Sequence, residues 1–76
     1  MSHLSTRIKF YREKKNITQK ELAEIVNVRR ETIVNLENGK YNPSLKLGME
    51  IAKVFGVMVE DVFELLEDES DVSLKL

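Results

Sequence analysis

Apolar residues recur at helical spacing in five short segments of the chain, each bounded by residues that start or stop helices. The first segment covers residues 6–15, where Ile8 and Tyr11 stand three positions apart and are expected to face inward. Ser5 is the expected N-cap of this helix. Asn16 ends it, because asparagine tolerates the left-handed conformation that a helix end often needs.

The second and third helices are separated by a very short turn. Thr18 and Glu21 form a T-x-x-E capping box, so the second helix begins at Gln19. The third covers residues 30 to 37 or 38, and Gly39 ends it. Because the connection is too short for anything but a fixed crossing, these segments predict a helix-turn-helix.

Turn residues at 39–43 lead into a fourth helix, which Ser44 caps and Gly56 stops. The residues of this helix expected to point largely inward are Leu45, Met49, Ile51, Ala52 and Phe55. A fifth helix is predicted over residues 59–66, with apolar side chains on one side and acidic ones on the other.

An acidic stretch follows the fifth helix, and residues 72–76 then alternate between apolar and polar, which is typical of a strand. A lone strand cannot satisfy its own backbone groups, so this segment is either a frayed tail or half of an intermolecular pairing. The sequence therefore divides into a helical domain, residues 1–66, and an acidic tail, residues 67–76.

The net charge of −1 conceals an uneven distribution along the 76 residues. Residues 1–40 hold nine Lys and Arg against five Asp and Glu, a balance of +4, whereas residues 41–76 hold three against eight, a balance of −5. One end of the molecule can therefore face a polyanion while the other faces away from it.

Several classes of protein are disfavoured by what the sequence lacks. It has no Cys, and its single histidine is His3, so a disulfide, a thiolate metal site and a histidine base are not expected. It also lacks a glycine-flanked nucleophilic serine and a glycine-rich phosphate loop, so we expect no enzymatic activity and no cofactor. The apolar runs are far shorter than the roughly 20 residues of a membrane span, which favours a cytoplasmic protein.

A helical wheel divides the third helix into two faces. Thr32, Ile33 and Leu36 fall together and form the predicted core side. The opposite side carries Arg30, Glu31, Val34, Asn35 and Asn38. These side chains offer donors, acceptors and one apolar group, a mixture that suits the edges of DNA bases.

Six short stretches carry the most specific motifs of the chain. They are TQKELA at 18–23, TI at 32–33, LENGK at 36–40, NPSL at 42–45, IAK at 51–53 and FGV at 55–57. Taken together, they resemble the phage-repressor and Cro-like helix-turn-helix family, often called the XRE family, over residues 6–65. The resemblance implies an all-α, compact five-helix domain of the lambda-repressor type whose third helix enters the major groove of DNA.

The resemblance also implies which residues contact DNA. They are Thr18, Gln19, Arg29, Arg30, Glu31, Val34, Asn35, Asn38, Lys40, Tyr41, Asn42 and Ser44. Some of these have competing roles. Arg29 and Arg30 can reach guanine or be an ordinary solvated pair. Glu31 can accept from cytosine or offset the helix dipole, and Val34 can meet a thymine methyl or simply be exposed. Tyr41 can instead pack on the fourth helix.

Two further sets of residues follow from the same comparison and from the apolar pattern. Members of the family often pair an arginine of the first helix with the glutamate that ends the third, here Arg12 and Glu37. We expect a homodimer, with an interface in the fifth helix and the tail. The candidate interface residues are Val59, Phe63, Leu66, Val72, Leu74 and Leu76.

Three positions depart from the family pattern. Arg29 stands where a capping Ser or Thr is common, which gives up about 1 kcal/mol unless Asn27 caps the third helix instead. Met58 replaces a common capping Ser, so the start of the fifth helix is open. Phe10 replaces a polar residue and is expected on the surface or under the C-terminal tail.

The leading hypothesis is a dimeric repressor that reads a near-palindromic operator in double-stranded DNA. A second is an antitoxin that binds its own operator and also a protein partner through the fifth helix or the tail. A third is a protein-interaction module that no longer binds DNA.

Overall fold

Five helices and a two-stranded sheet make up the part of the chain that the computed structural model describes, residues 2–67. The elements in chain order are β1 (Ser2–Thr6), α1 (Ile8–Lys14), α2 (Gln19–Ile25), α3 (Arg30–Glu37), α4 (Leu45–Phe55), α5 (Val59–Val62) and β2 (Phe63–Glu67). The five-helix prediction is confirmed. The strand expected at 72–76, with Val72, Leu74 and Leu76, lies outside the described residues.

Local hydrogen bonds and one glycine explain where α2 begins and where α4 begins and ends. At α2, Thr18 Oγ1 accepts a hydrogen bond from the Glu21 amide at 3.0 Å, and the Glu21 carboxylate accepts from the Thr18 amide at 2.8 Å. At α4, Ser44 Oγ accepts from the Leu47 amide at 3.1 Å. Gly56 ends α4 with φ +69°, a left-handed conformation that costs glycine little.

The expectation that Leu45 and Met49 point inward is wrong, because both are exposed. The buried face of α4 is formed by Leu47, Gly48, Ile51 and Ala52 instead. The Phe63 ring packs against Gly48 on this face, while Leu45 and Met49 lie on the other side of the helix.

The fifth helix is shorter than predicted, and a strand replaces its second half. α5 ends at Val62, and β2 pairs antiparallel with β1, from Thr6 opposite Phe63 to Ser2 opposite Glu67. Backbone partners from the far end of the chain satisfy residues 63–67, and this long-range pairing overrides the local helical pattern. The same pairing places Ser5 inside a strand, so its assignment as the N-cap of α1 is wrong.

All five helices contribute to one hydrophobic core. Its buried members are Ile8, Leu22, Ala23, Val26, Ile33, Leu36, Leu47, Ile51, Ala52 and Val62. The two helices of the predicted helix-turn-helix share this core, with Leu22 and Ala23 from α2 and Ile33 and Leu36 from α3. The core therefore fixes α3 against α2 and leaves the opposite side of α3 free to face a ligand.

None of the helices within residues 2–67 is long and apolar enough to cross a membrane.

Candidate nucleic-acid interface

A tight turn sets the crossing of α2 and α3. Asn27 adopts φ +59°, the left-handed conformation, directly after α2. The Val28 amide then donates to the Ala23 carbonyl at 2.9 Å, which closes the end of α2. Asn27 thus ends α2, while Arg29 is the N-cap of α3 and its side chain makes no capping hydrogen bond.

The two predicted faces of α3 are present. Ile33 and Leu36 are fully buried, and Thr32 is half-buried beside them. The outward residues Arg30, Glu31, Asn35 and Asn38 are exposed, whereas Val34 is half-buried at the edge of that face. The outer surface of α3 therefore combines a cation, a carboxylate and two amides that solvent, or a ligand, can reach.

A chain of side-chain hydrogen bonds runs from this surface into the molecule. Arg30 Nη2 donates to Gln19 Oε1 at 3.0 Å, and Gln19 Nε2 donates to Glu37 Oε1 at 3.0 Å. Glu37 also accepts from Arg12, whose Nε lies 2.8 Å from Glu37 Oε2. Gln19 at the start of α2 thus links Arg30 at the start of α3 to Glu37 at its end.

The pair of Arg12 and Glu37, which the family resemblance implies, is formed and well shielded. The side chains are only 12% and 6% exposed. Arg12 Nη1 donates in addition to the Ile17 carbonyl at 3.1 Å, in the loop between α1 and α2. Three segments, α1, the α1–α2 loop and α3, are therefore held by one guanidinium group, which limits how α3 can tilt.

Polar and basic groups continue from α3 into the loop before α4. Gly39 adopts φ +71°, and the next amide, that of Lys40, donates to the Asn35 carbonyl at 2.8 Å. Five residues of this region that the sequence assigns to DNA binding are exposed: Asn38, Lys40, Tyr41, Asn42 and Ser44. They form an exposed border beside the outer face of α3.

Arg29 and Glu31 flank the start of α3 on the solvent side. Their closest charged atoms are 4.0 Å apart, and both side chains are largely exposed. An exposed pair at this distance contributes little to stability. Arg29 is therefore available to an anionic ligand, and Glu31 lies in the first turn, where a carboxylate is favourable to the helix dipole.

The described candidates for the dimer interface differ in their surroundings. Val59 and Phe63 are half-buried and pack against the core, and the Phe63 ring lies over Gly48 of α4. Leu66 is exposed on β2. Of these three residues, Leu66 is the most accessible to a partner.

Sequence reasoning missed an exposed apolar surface formed by Leu45, Met49, Met58 and Leu65. The helical pattern placed the first two inside, and only the position of α4 in the fold turns them outward. Met58 was the one sequence feature that could have indicated this surface, because an apolar residue stands there where a polar cap is common. Its amide donates to the Asp61 carboxylate at 2.9 Å, which helps to start α5.

Phe10 lies on the surface, as one of its two expected placements requires. It is exposed, contacts Tyr11 edge-on and has the Lys14 ammonium 5.6 Å from its ring centroid. Tyr11 in turn stacks on Phe55.

No group of three His, Cys, Asp or Glu side chains within residues 2–67 is arranged to hold a metal ion. The outer face of α3 and the loop before α4 instead present hydrogen-bond donors and acceptors.

Comparison with protein families finds a match to the helix-turn-helix model over residues 8–62. This range begins with α1 and ends with α5, so it contains the α2–α3 pair and the loop before α4.

The chain is similar along most of its length to other small proteins. An uncharacterized HTH-type transcriptional regulator of Archaeoglobus fulgidus is 61% identical over 66 residues, which cover 87% of this chain and 93% of that protein. The immunity repressor protein of Bacillus phage phi105 is 36% identical over 56 residues, 74% of this chain and 39% of the phage protein.

Solved structures share the arrangement of helices. The clp gene regulator ClgR from Corynebacterium glutamicum matches with a TM-score of 0.67 and 30% identity, over 71% of this chain and 57% of ClgR. The transcriptional regulator VanUg matches with a TM-score of 0.71 over 88% of this chain and 89% of VanUg, and at 22% identity it supports the fold alone.

Proposed function

The chain belongs to the helix-turn-helix family of transcriptional regulators, and from this premise we propose that it is a dimeric repressor that reads a near-palindromic operator. Each subunit inserts α3 into the major groove of double-stranded DNA. In a dimer, two copies of α3 enter successive major grooves about 34 Å apart on one side of the duplex.

The observation that carries the proposal is the set of hydrogen bonds that holds the Arg30 side chain in position. Gln19 accepts from Arg30 and donates to Glu37, which is anchored by Arg12. An arginine held at the head of an exposed helix can direct two N–H groups at guanine O6 and N7, the commonest specific contact between proteins and bases. Asn35, five residues further along α3 and also exposed, can form the paired contacts that adenine accepts.

The loop between α3 and α4 supplies the contacts to phosphate. Lys40 is an exposed cation, and the first amides of α4, which follow the exposed Ser44, can donate to an anion. Such contacts set the register of a protein on the duplex without reading its sequence. Asn38 and Asn42 add neutral donors beside the loop.

The distribution of charge favours an orientation in which the α3 side of the molecule faces DNA. The nine Lys and Arg within residues 1–40 include Arg29, Arg30 and Lys40, whereas the excess of acidic residues follows residue 41. The acidic part repels phosphate, so it directs the α3 side of the molecule toward DNA. Repression is the mode of action supported by the similarity to the phage immunity repressor.

Selection of bound sites from random duplex DNA tests the proposal directly. We expect a recovered consensus of two inverted half-sites whose centres are about one helical turn, roughly 10 base pairs, apart. The full-length protein with Arg30→Glu should recover no consensus, while Lys9→Glu, the same charge change at an exposed site of α1, should recover the wild-type sequence. Recovery of unselected sequence by the wild-type protein would refute sequence-specific binding.

A further inference from the structure

The two-stranded sheet packs beside the α3–α4 loop, residues 38–44, which the proposed function assigns to phosphate. One groove of about 280 Å³ is lined by residues of β1, by Leu66 of β2 and by Asn38 and Gly39 of the loop. The Leu4 carbonyl oxygen comes so close to the loop that a Cβ added at Gly39 would lie 3.6 Å from it. The sheet therefore borders the loop directly.

The strand register places the end of β2 at the same loop. His3 lines a second groove together with Asn42 and Ser44, and its partner across the sheet is Leu66. Glu67, the last residue of β2, is one position beyond Leu66. The part of the chain that follows residue 67 therefore begins beside the α3–α4 loop.

The residues at this point form the most acidic run of the chain. Four of the five residues at 67–71 are Asp or Glu, and none is Lys or Arg. Four residues of fully extended chain span at most about 14 Å, so connectivity alone keeps the backbone of residues 68–71 within that distance of Glu67. The Debye length is about 8 Å at physiological salt and longer in dilute buffer. These charges are therefore near enough to act on an ion that the loop binds.

Part of the acidic excess thus lies on the DNA side of the molecule. The charge balance along the sequence indicates an acidic half that faces away from DNA, whereas the pairing of β1 with β2 brings one acidic run back to the loop. A phosphate group at Lys40 would meet these carboxylates at short range, and like charges repel. The repulsion does not depend on the base sequence, because every duplex carries the same phosphates.

We propose that the acidic run at 67–71 weakens DNA binding by repelling phosphates at the α3–α4 loop. The inference rests on the proposed function, because it takes this loop as the site that meets phosphate. It makes residues 67–71 a determinant of affinity for all duplexes and not of the choice of bases. Nonspecific binding, which depends almost entirely on phosphate contacts, is kept weak in this way.

Two variants of the full-length protein with the same net charge provide the test. The tail variant, Asp68→Asn with Glu69→Gln, removes two charges from the acidic run. The α4–α5 variant, Glu50→Gln with Glu60→Gln, removes two charges from a groove that no residue of the loop or of the sheet lines. Each changes the formal net charge from −1 to +1. A difference between them therefore reports the position of the charges.

Fluorescence anisotropy with a random-sequence duplex measures the repulsion. At about 0.05 M salt, we expect the tail variant to bind about fivefold more tightly than the wild type and the α4–α5 variant to stay within about twofold. The gain of the tail variant should shrink to less than about twofold near 0.5 M salt, because screening then removes the repulsion. Thermal unfolding should stay close to wild type in both variants, since amides of the same size replace the carboxylates.

Two further measurements separate repulsion from base recognition. The tail variant should gain the same factor on a selected operator as on a scrambled duplex. Ser70→Asp adds one charge to the run and should weaken binding of both duplexes about twofold at low salt, with the recovered consensus unchanged. A gain on the operator alone would assign the run to base choice and refute the repulsion.

The remaining outcomes distinguish this inference from the proposed function. Equal gains in the two charge-matched variants, or no gain in the tail variant, would overturn the inference and leave any consensus selected by the wild type intact. A wild type without a consensus whose tail variant still binds random duplex about fivefold more tightly would refute sequence-specific binding and support the repulsion. Absence of duplex binding in every variant would overturn both.

Discussion

The guanidinium group of Arg30 donates a hydrogen bond to the side chain of Gln19, with Nη2 and Oε1 3.0 Å apart. This contact joins the first residue of the second helix to the first residue of the third. Because Gln19 also donates to Glu37, the amide is satisfied on both sides within the subunit. Gln19 therefore holds Arg30 in position, and the second N–H of its amide can still donate to DNA.

Replacing Gln19 with alanine should weaken specific binding about tenfold, because Arg30 then loses the partner that orders it before it reaches DNA. Discrimination at the base pair that Arg30 reads should fall with it, while nonspecific binding changes little. Fluorescence anisotropy with matched operator duplexes that differ at one base pair measures both effects. Lys20→Ala, an exposed neighbour on the same helix, is the control, and an equal loss of specificity in that variant would contradict the role of Gln19.

Breaking the pair of Arg12 and Glu37 should destabilise the domain. We expect Arg12→Ala to lower the free energy of unfolding by about 3 kcal/mol, because it leaves a shielded carboxylate without its main cation. Urea denaturation followed by circular dichroism gives the value. The double variant Arg12→Met with Glu37→Leu should be more stable than Arg12→Ala, since it leaves no unpaired charge, and the reverse order would show that the charges themselves stabilise the fold.

Arg29 offers a substitution with opposite effects on stability and on binding. Arg29→Ser supplies the hydroxyl that caps a helix and should raise the free energy of unfolding by about 1 kcal/mol. It should also weaken DNA binding, because a cation beside the groove is lost. Arg29→Ala separates the two effects, since it removes the cation and adds no cap. Thermal melts and anisotropy on the same samples provide the measurements.

If Arg29→Ser and Arg29→Ala both bind operator as tightly as the wild type, Arg29 is a solvated residue with no contact to DNA. If the two variants differ from each other only in their free energy of unfolding, the difference measures the cap that serine supplies.

Salt dependence identifies the phosphate contacts. Plotted as log K against log salt, binding should follow a slope of about −0.9 for each phosphate neutralised, so Lys40→Ala should make the slope shallower by about one. Lys14→Ala, in α1 beside the Phe10 ring, should leave the slope unchanged. Equal slopes for Lys40→Ala and the wild type would show that Lys40 does not contact phosphate.

Local signals in the sequence were sufficient for the helices that support α3. The capping box at Thr18 and the cap at Ser44 depend on residues three positions apart, so a linear pattern contains them. The buried side of α3 followed from helical spacing in the same way, since Ile33 and Leu36 are three positions apart.

Contacts between distant parts of the chain could not be predicted in this way. The pairing of residues 2–6 with residues 63–67 joins the two ends of the described chain, and neither segment alone indicates its partner. The role of Gln19 depends on a network of four side chains from three helices, and a sequence pattern does not report how their atoms approach. The exposure of Leu45 and Met49 depends likewise on which side of α4 meets Phe63 and the core.

The strand pairing has a practical consequence for anyone choosing where to cut this domain. A fragment trimmed to the residues that the family model matches, 8–62, would keep every helix yet discard both strands. The fragment would also lose the Arg7 amide, which donates to the Val62 carbonyl at 2.8 Å. Ile8 and Val62, which are fully buried, would become the charged termini of the truncated chain. A fragment meant to fold should therefore keep residues 2–7 and 63–67, because the range that the family model matches ends short of the strand pairing.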